Sequence, residues 1–324
     1  MNILITGGAG MIGYKLAERL GRDGALDGKA ISGLTLYDVV EATVPAGAKI
    51  PLRLTTGDLP ALGEAARLVA DLPDVVFHLA AIVSGEAEQD FDKGYRINMD
   101  GTRALLEAVR IAGHKPRLVF ASSIAVFGAP FPEAIGDEFF NTPLTSYGTQ
   151  KAISELLVSD YTRKGFLDGL SLRLPTICVR PGKPNKAASG FFSNIIREPL
   201  AGQEAVLPVA DSVMHWHASP RAAVEFVRHA ATLDTAKVGP RRALTMPGLA
   251  VTVAEQIAAL RKVAGDKVVA RIRREPDPFV ERIVAGWPRR FAADRALELG
   301  FKPDASFEQI VRIHIQDELG GRIG

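Results

Sequence analysis

The chain has one cysteine, Cys178, among its 324 residues. A single thiol excludes an internal disulfide framework and suits a reducing compartment. Cys178 lies in the apolar run "TICV", which predicts a packed core thiol. Aromatic residues make up only 7% of the chain and do not interleave with a basic stripe. Neither sign of charge dominates, because 39 basic and 37 acidic side chains leave a formal charge of +2. That balance argues against nucleic acid or a membrane surface as a partner. No apolar stretch approaches the roughly 20 residues needed to span a bilayer. The few apolar residues at the N-terminus run straight into glycines, unlike a secretory signal. These absences predict a cytoplasmic globular protein.

What is present is a regular alternation. "NILIT", "GLTLYD", "LRLTTGD", "DVVFHLAA", "RLVFASS" and "LSLRLPTICV" read as strands. Between them lie helical patterns: "MIGYKLAERLGRDG", "PALGEAARLVADL", "MDGTRALLEAVRIAG" and "YGTQKAISELLVSDYTRKG". Apolar strands alternating with helices predict an α/β fold, a doubly wound parallel Rossmann sheet. After Val179 the texture changes to a Pro-, Gly- and Lys-rich loop, "RPGKPNKAASG". Later amphipathic helices and the half-exposed strand "ARIRRE" predict a small C-terminal substrate-binding lobe. The expected division is residues 1–179 and about 217–240 for the nucleotide domain. Residues about 180–216 and 241–324 then form the lobe.

The first strand runs into "GGAGMIG". Gly8, Gly10 and Gly13 spell one dinucleotide fingerprint, and Gly7, Gly10 and Gly13 spell another. Either register gives a tight turn and a helix N-terminus at Met11 and Ile12. Its free N–H groups and dipole suit a pyrophosphate. Asp38 ends the next strand 25 residues beyond Gly13, a little past the usual spacing of ~20. It is placed to bond the adenosine ribose hydroxyls. Val39 and Val40 follow it, with no cation to hold a 2′-phosphate, so NAD is expected rather than NADP. Asp58, in "GDL", is placed either at the adenine or as a helix cap.

"SYGTQK" puts Tyr147 and Lys151 four residues apart, on one helical face. A nearby ammonium favours the phenolate, which makes tyrosine a usable proton acceptor. Ser122 and Ser123 end the preceding strand, where ligands sit in such sheets. A serine there can hydrogen-bond the same oxygen. The set predicts hydride-transfer chemistry and selects the Gly7, Gly10, Gly13 register.

In order and spacing, "TGGAGMIG", "GDL", "HLAA", "NMDGT", "SSIAVFG" and "YGTQK" resemble the extended short-chain dehydrogenases, the NAD-dependent epimerase/dehydratase family. The resemblance covers roughly residues 1 to 180. It implies Ser123 as the catalytic hydroxyl, Tyr147 as acid/base and Lys151 as its partner. It further implies cofactor contacts from Asp58, Leu59, Leu79, Ala80, Ala81, Asn98 and Pro175, with Asn98 also structural. His78 is then a packed strand residue. A homodimer through "TRALLEAVRIAG" and "KAISELLVSDYTRKG" is the family's usual pairing, although the same apolar stripes fit simple sheet packing.

Nucleotide-sugar members carry an Asn and a Tyr-Gly-Pro turn where this chain reads "LRLPTICVRPGKPNKAASG", and an Arg-rich clamp where it reads "MHWHASPR". The loop instead offers Arg180, Lys183, Asn185, Lys186 and Ser189, groups that suit a carboxylate with nearby hydroxyls. Ser84, His215, Trp216 and His217 are further candidates at the substrate, with Ser84, Ser123, Tyr147, Arg180, Lys183, Asn185, Ser189 and His217 preferred. These stretches are similar to a small-acid branch of the family. That likeness implies NAD-dependent oxidation of the C2 hydroxyl of a four-carbon sugar acid to its 2-oxo acid. The competing readings are a nucleotide-sugar epimerase or dehydratase, an L-threonine-type dehydrogenase, and an NAD-sensing regulator. No metal is expected.

Overall fold

A computed structural model describes residues 1–182 and 189–324. Its main sheet has seven strands: β1 (Asn2–Thr6), β2 (Gly33–Asp38), β3 (Leu52–Thr56), β4 (Val75–His78), β5 (Arg117–Ser123), β6 (Asp168–Leu174) and β7 (Ala243–Thr245). They lie in the order β7-β6-β5-β4-β1-β2-β3, and every pairing is parallel. The chain builds outward from β1 to β3, returns to β4, and builds outward on the other side. The order therefore reverses between β1 and β4, the position where doubly wound sheets bind ligands.

The covering helices are α1 (Met11–Asp23), α2 (Glu64–Val69), α3 (Gly101–Ala112) and α4 (Ser146–Arg163). Leu4, Val76, Leu118 and Phe120 of the sheet pack with Leu68, Leu105, Val109 and Val158 of the helices in one buried cluster. Helix α1 starts at Gly10 without a side-chain cap and stops at Gly24, whose left-handed backbone closes it. Helix α2 is shorter than its apolar pattern, because Gly63 before it is itself left-handed. A wider π-turn, Tyr95–Asp100, precedes α3. The extra residues between α1 and β2 form a small antiparallel hairpin, Ala25–Leu26 with Lys29–Ala30.

One strand also departs from expectation. "LSLRLPTICV" is not one strand. β6 ends at Leu174, and Thr176–Ile177 pairs instead with His217–Ala218. Pro175 stands between them, and proline has no N–H to continue a ladder.

The chain divides into two compact units. Met1–Val126, Pro143–Leu174 and Val224–Thr245 form the first, which holds the seven-stranded sheet. Phe127–Thr142, Pro175–Ala223 and Met246–Gly324 form the second. The core of the second unit joins Cys178, Phe192, Ile195, Leu260, Phe307 and Ile310. Cys178 is fully buried and its Sγ–H donates to the Phe192 carbonyl. Among the described residues no helix is long and apolar enough to cross a membrane.

The turn after β1 tests the tightness of this packing. A β-carbon at Gly13 would overlap the carbonyl of Gly7. Gly13→Ala should therefore lose about 1–3 kcal/mol of stability, the usual cost of overpacking. A denaturation midpoint equal to that of the wild type would contradict this packing.

Candidate active site

The glycine turn sits at the carboxyl end of β1. Gly7 has φ of +77°, and a β-carbon there would lie 2.7 Å from the Ala80 nitrogen. Gly10 N–H donates to the Gly7 carbonyl, and Gly8 N–H to the Tyr37 carbonyl. Gly7, Gly10 and Gly13 are thus the positions where the turn closes on itself, while Gly8 packs on Leu36. Met11 and Ile12 follow, half-buried, at an N-terminus whose amides no side chain caps. A cradle that admits no side chain, beside uncapped amides, fits a dinucleotide pyrophosphate.

Asp38 ends β2 next to this turn. Its carboxylate accepts from Ala9 N–H at 3.0 Å and Val39 N–H at 2.7 Å. Asp58 follows β3 and pairs with Arg96 at 2.6 Å, both side chains partly exposed. Leu59 beside it is buried. Leu79, Ala80 and Ala81 leave β4, with Leu79 N–H donating to the Thr6 carbonyl. Asn98 anchors this segment: it accepts from Ile82 N–H at 2.9 Å, and it donates to the Ile82 carbonyl and to Gln150 Oε1. Its side chain is therefore spent on the loop that carries Leu79 to Ala81. His78 is buried between Thr6 and Thr102 hydroxyls, 2.7 and 2.9 Å from its ring nitrogens. Burial, and then the Lys151 charge, lower its pKa to about 3, so it stays neutral. Ser84 opens a short helix, Ser84–Gln89, and is half-buried.

The chemical residues come from β5 and α4. Thr145 caps α4, accepting from Gly148 N–H, and Tyr147 lies half-buried in the first turn. A β-carbon at Gly148 would overlap the Ala125 carbonyl, so α4 starts in contact with the short turn that follows β5. One turn on, Lys151 is 2% exposed. Its Nζ donates to the Ala121 carbonyl at 2.7 Å and lies 4.7 Å from the Phe120 ring centre. The Tyr147 ring centre is 5.6 Å from the same nitrogen. Ser123 accepts from Ala125 N–H at 3.1 Å and is half-buried. Its neighbour Ser122 is buried and donates to Glu155 at 2.5 Å. Glu155 also takes Arg173, through Nε at 3.0 and 3.1 Å and Nη2 at 2.8 Å.

Glu155 and Arg173 stand outside the sequence motifs. Two signals in the chain point to them: Glu155 follows Lys151 by one helical turn, and Arg173 is a cation inside an apolar strand.

In the second unit, Arg180 and Ser189 meet, with Nη2 donating to Oγ at 3.0 Å, and Arg180 Nε donates to the Ile177 carbonyl. Pro175 is buried where the strand breaks. Lys183, Asn185 and Lys186 lie outside the described residues. His215 is buried, with its Nε2 taking the Thr176 hydroxyl at 2.7 Å and Nδ1 donating to the Pro288 carbonyl. Burial lowers its pKa to about 4. Trp216 Nε1 donates to the Met246 carbonyl. His217, also a candidate substrate contact, lies in the second unit. It has no exposed area, lies 2.9 Å from Gln256 and packs on Phe192 and Phe307. Burial pushes its pKa well below the ordinary value, so it is a neutral packed ring.

Lys151 also makes stability depend on pH. Burial lowers its pKa to about 7, while Glu155 works the other way. An unfolded lysine titrates near ~10.4, so from about pH 7 to about pH 10 the unfolded chain holds a proton that the folded chain lacks. The lysine thus penalises the fold most below pH 7, and the penalty lifts as pH rises. Lys151→Met should gain melting temperature relative to the wild type most at low pH, with the difference narrowing toward about pH 10. A difference that does not change with pH would refute the burial of this charge.

The model of the NAD dependent epimerase/dehydratase family matches residues 3–227. The D-erythronate dehydrogenase of Cupriavidus necator is 50% identical over 321 residues, covering 98% of both chains. That of Haemophilus influenzae is 43% identical over 325 residues, covering 98% of this chain and 100% of its own. A crystal structure described as the nucleoside-diphosphate-sugar epimerase from Agrobacterium tumefaciens superposes with a TM-score of 0.97 at 63% identity, covering 100% of this chain and 96% of that one. With the glycine turn, the acidic strand end and the Tyr/Lys pair in place, the chain belongs to the NAD-dependent epimerase/dehydratase family, as an enzyme that acts on CH–OH groups with NAD.

Proposed function

We propose that the protein is an NAD-dependent dehydrogenase that oxidises the C2 hydroxyl of D-erythronate, or a close four-carbon sugar acid, to the 2-oxo acid. The observation that carries this reading is Lys151, a buried amine held one helical turn from the half-open Tyr147. Two D-erythronate dehydrogenases, similar over almost the whole chain, support the substrate.

Tyr147 takes the proton of the substrate hydroxyl as its phenolate, which the Lys151 charge favours. Ser123 donates a hydrogen bond to the same oxygen and fixes its position. Bound NAD supplies the hydride acceptor. Gly7, Gly10, Met11, Ile12 and Gly13 would hold its pyrophosphate, and Asp38 its adenosine ribose. Asp58, Leu59, Leu79, Ala80, Ala81 and Pro175 would line its other contacts, and Asn98 would act through the loop it anchors. Ser84, Arg180, Lys183, Asn185 and Ser189 are the proposed substrate contacts, their cations and amides suiting the carboxylate. His217 joins that set as a neutral ring. A cytoplasmic setting belongs to the same proposal, supported by the single buried thiol. So does a homodimer, supported by the exposed Ile111 on α3 and Leu156 on α4.

The alternative is a nucleotide-sugar epimerase that regenerates its cofactor internally, favoured by the description of the Agrobacterium tumefaciens relative. A spectrophotometric assay separates the two. Stoichiometric NADH from NAD and D-erythronate, with none from UDP-sugars, is the expected outcome. Tyr147→Phe should still bind NAD and lose about 100-fold or more in turnover, the usual worth of a general base. Epimerised UDP-sugar without net NADH would overturn the proposal, and so would full turnover by Tyr147→Phe.

A further inference from the structure

Three consecutive residues of β5 each hold something different. The Ala121 carbonyl takes the Lys151 ammonium, Ser122 donates to Glu155, and Ser123 presents the hydroxyl assigned above to the substrate oxygen. Glu155 is 3% exposed and stands one turn after Lys151 on α4. On its far side Arg173 of β6 grips both of its oxygens. A buried carboxylate is thus tied to β5, β6 and the lysine's own helix. Such a closed network is costly to bury and is kept where it fixes geometry or charge.

We infer that Glu155 is a positioning residue for the reaction: its carboxylate, locked by Ser122 and Arg173, sets a fixed negative charge one helical turn from Lys151 and keeps the lysine in register with Tyr147. The inference rests on the Tyr147 and Lys151 roles proposed above and extends them to a residue that touches neither substrate nor cofactor.

The charged surroundings of Lys151 support it. From its own helix come Tyr147 and Glu155. From β4 comes His78, which is neutral. From β5 come only a carbonyl and the Phe120 ring. From β6 comes Arg173, already committed to Glu155. Glu88 sits at the start of α4, where it accepts from Ser146 N–H. Among these groups, Glu155 is the carboxylate whose charge raises the lysine's proton affinity against its burial. Without that charge, Lys151 is neutral over more of the physiological range. The Tyr147 phenolate then loses its stabilising neighbour, and the acid limb of alcohol oxidation moves to higher pH.

The test is kcat/KM for D-erythronate oxidation from pH 6 to 10 in the full-length enzyme. Glu155→Gln should lose about tenfold at pH 7, equivalent to a one-unit displacement of the limb, and recover most of it by about pH 9.5. Glu155→Asp, which keeps the charge, should retain the wild-type profile. Glu155→Gln with Arg173→Met replaces the buried ion pair by neutral groups, which guards against misfolding, and should show the same displacement. A purely structural role predicts an equal loss at every pH, and that result, or an unmoved profile in both Gln variants, overturns the inference. Tyr147→Phe is run alongside. If it is inactive and Glu155→Gln leaves the limb in place, only this inference fails; if it is active, the catalytic reading itself fails.

Discussion

Lys151 is an amine with almost no water to hold its charge. Its Nζ has the Ala121 carbonyl, the Phe120 ring and the charge of Glu155 in place of solvent. Removing an ammonium from water costs several kcal/mol unless partners offset it, so the end of β5 must present its carbonyl where α4 delivers the lysine. Meeting that demand fixes the neighbours. Ser122 turns inward to Glu155, Ser123 turns to the Ala125 amide, and Gly148 lets α4 lie against the Ala125 carbonyl. Tyr147, one turn before the lysine, inherits its place from the same contact.

The sheet order gathers the remaining groups. The reversal between β1 and β4 sets the glycine turn against Leu79 and Ala80, close enough that a side chain on Gly7 would strike the Ala80 amide. Asp38 ends the strand on one side of β1. Asn98 secures the segment after β4 on the other side. Thr6, His78 and Thr102 tie β1, β4 and α3 together with two buried hydrogen bonds at a neutral imidazole. Each group is thus placed by the end of a parallel strand, and loop conformation has little left to decide.

How much of this is readable from the chain depends on the kind of signal. The α/β alternation, the Gly7 turn, Asp38 and the Tyr147/Lys151 spacing are local patterns, legible because period and spacing carry them. The break at Pro175 was also written in the sequence, yet the apolar run around it masks it; only the ladder shows that Thr176–Ile177 joins another sheet. Glu155 and Arg173 meet where α4 packs on β6, so their union needs the fold. The packing of His217 among Phe192, Phe307 and Gln256 likewise shows only in the fold.

The central claim is that a base at Tyr147 and a hydride acceptor act on one carbon–oxygen bond. The most direct measurement uses D-erythronate deuterated at C2, followed by mass and NMR analysis of the cofactor. Deuterium recovered on the nicotinamide ring, with 2-oxo acid formed in equal amount, is the predicted result. Deuterium lost to solvent, or retained in a substrate that never yields 2-oxo acid, would contradict it.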